Sequence, residues 1–156
     1  MRPDLVPLLV LIPVLLSAAL SDLRALRIPN SHVLTALALF VLSAGAFVTL
    51  PEIALRLIAA TIVLGIGFGL FALRLFGGGD VKMLAATTLF IPSDLWLNFA
   101  QALSVALLLG SAGIVLLQRP ALARRLPWES ARQTGRLPMG ISIALTPLLL
   151  IGAQLW

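Results

Sequence analysis

The chain has 156 residues, 60% of them hydrophobic and only 11% charged, with a net charge of +5 and no cysteine. A soluble domain of this size could not present so much apolar surface to water, so the composition points to an integral membrane protein. The missing cysteines exclude disulfides, thiolate metal sites and cysteine nucleophiles, and the single histidine, His32, speaks against a histidine-based metal site; no metal or other cofactor is expected.

A membrane span needs roughly 20 mostly apolar residues to cross about 30 Å of hydrocarbon. The candidates in chain order are Leu5 to Ser21, Val33 to Leu50, Leu57 to Leu73, Leu75 to Ile91, Leu95 to Leu117 and Met139 to Trp156. The first has some likeness to a signal peptide. Prolines interrupt its apolar run, however, and the charged "SDLRALR" follows where an exported domain would begin, so it reads as a span. Residues 1–156 are thus expected to form a single all-α, polytopic membrane domain of six transmembrane helices.

Orientation follows from the basic residues. If the first, third and fifth connections face the cytoplasm, Arg24, Arg27, Arg74, Lys82, Arg119, Arg124, Arg125, Arg132 and Arg136 lie inside, and only Arg2 and Arg56 lie outside. The positive-inside bias then puts both termini on the periplasmic side. Charge of this kind reports orientation and contact with anionic lipid, not nucleic-acid binding. Helix ends agree: Asn30 or Ser31 is expected to cap the second helix, and Pro51, Pro92 and Pro138 fall at boundaries, where a missing N–H costs little.

Of the six acidic residues, Asp4, Glu52, Asp94 and Glu129 are expected to be solvated, in the tail or in loops. Asp22 and Asp80 differ, because both lie at the inner ends of spans and beside basic residues. Helix arithmetic gives them different depths. Asp80 is about 17 Å along a straight helix from Ile91, near mid-membrane, whereas Asp22 is about 26 Å from Leu5 and close to the inner surface. A recessed fourth helix, a tilted first helix or a thinned bilayer would reconcile the two. At either depth Asp80 is expensive unless it lines a wet cavity or meets a partner. The run Gly77, Gly78, Gly79 is expected to break the backbone before it, using positive φ angles and close approach to an extended polypeptide.

"GGGD" fits the G-x-G-D motif of polytopic aspartyl proteases, and "GGGDVKML" resembles the G-x-G-D-x-K-L form of type IV prepilin peptidases. "SDLRALRIPN" resembles the segment of that family in which an aspartate ends a helix ahead of a basic cytoplasmic loop. "LPMGISIAL" is similar to the P-x-G-x-x-x-A segment that opens its last helix, with Pro138 and Gly140 in the matching places. The resemblance implies a membrane aspartic endopeptidase of the bacterial inner membrane, which removes the leader of prepilins and pseudopilins at the cytoplasmic face. Asp22 and Asp80 carry over as its catalytic pair. The larger members carry a cysteine-rich cytoplasmic region and methylate the new pilin N-terminus. This chain resembles instead the short, peptidase-only form of tight-adherence (Flp) pilus systems.

Two carboxylates within hydrogen-bond reach cannot both ionise cheaply, so such a pair shares a proton and supplies both the base and the acid of peptide hydrolysis. The substrate helix must unwind at the cut. Gly77, Gly78 and Gly79 are candidates to pair with the unwound strand, and Lys82 either joins the site or snorkels to headgroups. Gly65, Gly67, Gly69, Gly110 and Gly113 suit close helix packing. A proton- or cation-coupled transporter is the competing reading of an intramembrane Asp and Lys beside a glycine break, and a scaffold subunit is a third.

Overall fold

The computed structural model describes residues 3–119, 128–132 and 138–154. Arg2 and the part of the basic loop holding Arg124, Arg125 and Arg136 lie outside them. Among the described residues the fold is all α-helical. A 3-10 turn (Pro3–Leu5) leads into α1 (Val6–Ala25), followed by α2 (Asn30–Phe47), α3 (Leu50–Ala72) and α4 (Gly78–Thr88). A second 3-10 turn (Ser93–Leu95) leads into α5 (Trp96–Leu117), then a short α6 (Glu129–Arg132) and α7 (Gly140–Ala153). Among the described residues, four helices are long and apolar enough to cross a membrane: Pro3–Ala25, Asn30–Phe47, Leu50–Ala72 and Ser93–Leu117.

The expected fourth and sixth spans are shorter than their hydropathy suggests. α4 has 11 residues, so it is about 16 Å long, and the 14 residues of α7 reach about 21 Å. The flanks of α4 explain its length. Arg74 takes a left-handed conformation (φ 60°) and turns the chain out of α3, so residues 75–77 are not helical. At the other end Phe90 N–H and Ile91 N–H donate to the carbonyls of Thr87 and Thr88 at 3.0 and 3.1 Å, closing tight turns just before Pro92. Apolar residues filled both flanks, and hydropathy counted them as helix.

Short as it is, α4 is the centre of the bundle. It packs against α2, α3 and α7, and Val81, Met83, Ala85, Ala86, Thr87 and Thr88 are all buried. The Thr87 and Thr88 hydroxyls donate to the carbonyls of Met83 and Leu84 at 2.8 and 2.9 Å, which satisfies them without water. α1 presents Leu8, Leu11, Leu15, Ala18 and Asp22 along one buried seam of three- and four-residue steps, against α2 and α7. Only 17% of the apolar window of α2, α3 or α5 is buried, against 39% for α1, so the outer helices turn apolar faces outward. Leu42 and Leu108, for example, are 78% and 73% exposed. Those faces suit hydrocarbon, and the chain is a multi-pass membrane protein.

Three expectations need correction. The start of α2 is capped by neither Asn30 nor Ser31, since its N-cap is Pro29 with no side-chain hydrogen bond; the Asn30 carbonyl oxygen instead accepts from Lys82 Nζ at 3.3 Å. Of the glycines expected to pack helices, Gly67 abuts Val81 and Gly110 abuts the Ser142 hydroxyl, but Gly65, Gly69 and Gly113 face open space. Glu52 is not simply solvated. Its Oε1 accepts from Arg56 Nε at 2.9 Å and from Ser93 N–H at 2.7 Å, and its Oε2 accepts from the Ser93 hydroxyl at 2.7 Å. Arg56 itself is fully buried. This cluster ties the start of α3 to the turn that follows α4, at the end of the bundle opposite Asp22.

Candidate active site

Asp22 lies in the last turn of α1, which the sequence ends with leucine where glycine is usual. Leu26 takes the left-handed conformation (φ 48°) and donates its N–H to the Asp22 carbonyl at 2.8 Å. The chain thereby turns at once into α2, with the Ser21 hydroxyl donating to the Arg27 carbonyl at 3.0 Å. The Asp22 side chain points inward and the residue is 4% exposed. Its Oδ2 accepts from the Gly140 N–H at 2.8 Å, across 118 residues of sequence.

Gly140 is needed there for space. A Cβ on it would sit 2.8 Å from the Asp22 Cβ, 2.9 Å from Oδ2 and 3.2 Å from the Ala19 Cα. An alanine must push α7 away from α1 and break the bond to Asp22. Gly140→Ala is therefore expected to lower any Asp22-dependent activity about 100-fold, the usual result of moving a reacting group by about 1 Å. Cleavage assays on membranes matched for protein level check this.

Asp80 is the third residue of α4, after the N-cap Gly77. Its carboxylate folds back over Gly77, within reach of that backbone N–H, as acidic residues at this helix position commonly do. Its Oδ1 is buried and has no hydrogen-bond partner among the described residues. Neither Gly77, Gly78 nor Gly79 uses a positive φ, contrary to expectation; the left-handed positions belong to Leu26 and Arg74. The glycines serve close approach instead. A Cβ on Gly77 would collide with the Asp80 carboxylate, one on Gly78 would lie 3.3 Å from the Phe71 ring, and one on Gly79 would lie 3.0 Å from the Ile28 carbonyl oxygen.

The two aspartates line the same cavities. Both line a cavity of about 850 Å³ together with Phe71, Ala72, Leu107 and Ser142, and both line a second cavity of about 350 Å³ with Arg27, Asn30 and Lys82. Sharing these cavities puts Asp80 level with the α1 C-terminus, so the 11-residue α4 ends well short of the level at which α1 begins. Gly77 borders both cavities, whereas Gly78, Gly79 and Lys82 border the smaller. Lys82 bonds to Asn30 and not to Asp80, as the two-residue helical offset requires.

What the residue-by-residue reading missed is the third element of the site. "LPMGISIAL" singled out Gly140 only by resemblance, with no role, because a backbone N–H leaves no trace in residue type. The Pro138 and Met139 that precede it also line the larger cavity.

A model of the type IV leader peptidase family matches residues 9–117, a stretch that includes both aspartates and stops short of Gly140. No curated protein and no solved structure matches the chain. A match over well above half of the length, joined to two aspartates on one cavity wall of a multi-pass membrane protein, shows that the chain belongs to the type IV leader peptidase family.

Proposed function

We propose that the protein is an aspartic endopeptidase that removes the N-terminal leader of prepilins and pseudopilins at the cytoplasmic face of the bacterial inner membrane, with Asp22 and Asp80 as its catalytic pair. The observation that carries this reading is the convergence of two carboxyl groups, from helices 58 residues apart in sequence, on two shared cavities. Hydrolysis asks one carboxylate to take a proton from water as the water oxygen bonds to the scissile carbonyl carbon. The other, protonated, carboxyl polarises the carbonyl oxygen. The C–N bond then breaks and the leaving amine receives a proton from the pair. The Gly140 N–H fixes the orientation of Asp22, and the unpartnered Asp80 Oδ1 leaves a position for the reacting water.

Arg24, Arg27, Arg74, Lys82 and Arg119 all belong to the Asp22 end of the bundle, which supports a cytoplasmic site and periplasmic termini. In this reading all six apolar helices are embedded, α4 and α7 as the short ones, and Arg24 meets anionic headgroups. Gly77, which borders both cavities, is the glycine best situated to hydrogen-bond the unwound substrate strand; Gly78, Gly79 and Lys82 flank its exit. The sequence resemblance is to the short tight-adherence type, for which leader removal is the activity. Co-expression with a prepilin tests the activity. The wild-type protein should shorten the prepilin to one new N-terminus, and an uncut prepilin beside correctly inserted protein would sink the reading.

A further inference from the structure

The larger cavity exists because of a gap between helices. α3 packs mainly against α4 and the 93–95 turn, α5 packs mainly against α7, and among the described residues α3 and α5 share at most marginal contact. Near the α4 N-terminus end of the bundle, where α4 has not yet begun, the space between them holds the cavity of about 850 Å³. Its rim is largely apolar: Phe71, 46% exposed, and Ala72 line it from α3, and the half-buried Leu107 lines it from α5 beside a single hydroxyl, Ser111. Arg74 marks its aqueous edge. The floor is the aspartate pair.

An apolar rim between two helices that each suffice to cross the membrane faces hydrocarbon, and only a polypeptide with its backbone groups already paired can approach from there. That occupant is an α-helix. At a diameter of 10–12 Å and 1.5 Å per residue, a cavity of this volume holds about two helical turns. Beyond the carboxyl groups the smaller cavity changes character, with Arg27, Asn30 and Lys82 in its walls. A chain that runs from one cavity to the other leaves helix for extended strand at Asp22 and Asp80.

We propose that the opening between α3 and α5 is a lateral entrance by which the apolar helix of the substrate reaches the aspartates from within the bilayer; this rests on the peptidase function proposed above. A photoreactive amino acid is placed at Phe71, at Leu107 or, as a control, at Leu42 on the outward face of α2, in an Asp80→Asn background that keeps the prepilin uncut. The prepilin should crosslink from positions 71 and 107 and not from 42. In the otherwise wild-type protein, Leu107→Trp should raise KM for the full-length prepilin at least about tenfold, while Leu42→Trp leaves cleavage unchanged. Crosslinks to lipid alone at 71 and 107, or crosslinks equally strong from 42, overturn the entrance provided the wild-type protein cuts the same prepilin. A wild-type protein that does not cut it removes the peptidase reading and the entrance with it.

Discussion

Asparagine at Asp22 or at Asp80 is expected to slow prepilin cleavage at least about 1,000-fold, within the range that one acid–base group contributes, and the double variant should be no slower than either single one. The substitution suits the site. Asparagine has the size of aspartate, so α7 can stay against α1, and its amide oxygen can still accept from the Gly140 N–H now 2.8 Å from Oδ2. What it loses is the ability to exchange a proton. If one group takes the proton of water while the other polarises the scissile carbonyl, both act in the same attack step and removing either stops it, which is why the losses do not multiply. Single-turnover cleavage by purified variants measures this directly. Losses that multiply would mean two independent roles, and an Asp22→Asn variant within tenfold of wild type would mean the pair is wrongly assigned. Because Asp80 Oδ1 has no hydrogen-bond partner among the described residues, Asp80→Asn should also leave the melting temperature close to that of the wild type.

Much of this arrangement is legible in the sequence, and where it is not the reason is physical. Six apolar stretches lie at six helices, because hydropathy reports burial in lipid or protein. Helix ends are less legible. Leu75, Phe76 and Leu89 to Ile91 are as apolar as the helix they flank, and only the turn at Arg74 and the proline at 92 limit α4 to 11 residues. The depth difference calculated for Asp22 and Asp80 comes instead from placing Ile91 at the outer surface, whereas the shared cavities put Asp80 level with Asp22. The glycine run was legible as a special place but for a different reason than its use: three residues free to take positive φ turn out to be three residues without side chains, pressed against Asp80, Phe71 and Ile28. The left-handed positions went to Leu26 and Arg74, where the cost of about 1–2 kcal/mol is carried by the surrounding packing. Gly140 shows the limit of residue-type reasoning, since its contribution is a main-chain N–H and the absence of a Cβ.

Glu52→Ala is expected to destabilise the protein by about 3–5 kcal/mol, the cost of leaving a buried charge without its partner. Read from sequence alone, Glu52 is a loop carboxylate after a proline, and removing one of those changes stability by no more than about 0.5 kcal/mol. The difference comes from Arg56. Its guanidinium is fully buried, and among the described residues Nη1 and Nη2 have no acceptor and Nε has Glu52, at 2.9 Å. The same carboxylate takes two bonds from Ser93, so its loss also frees the turn between α4 and α5. Replacing both members separates these effects. Glu52→Gln with Arg56→Met keeps an acceptor for the Ser93 N–H and removes the buried charge, so it should recover most of the loss. Denaturation in detergent micelles, followed by helix content, supplies the measurement. A Glu52→Ala protein as stable as wild type would show Arg56 to be compensated by some other group. A double variant no better than Glu52→Ala would show that the uncompensated Arg56 charge is not the source of the loss. Because that turn follows directly from the outer end of α4, and Asp80 sits in the first turn at the other end of the same 11 residues, the Glu52→Ala variant should also cleave prepilin more slowly under conditions where it remains folded.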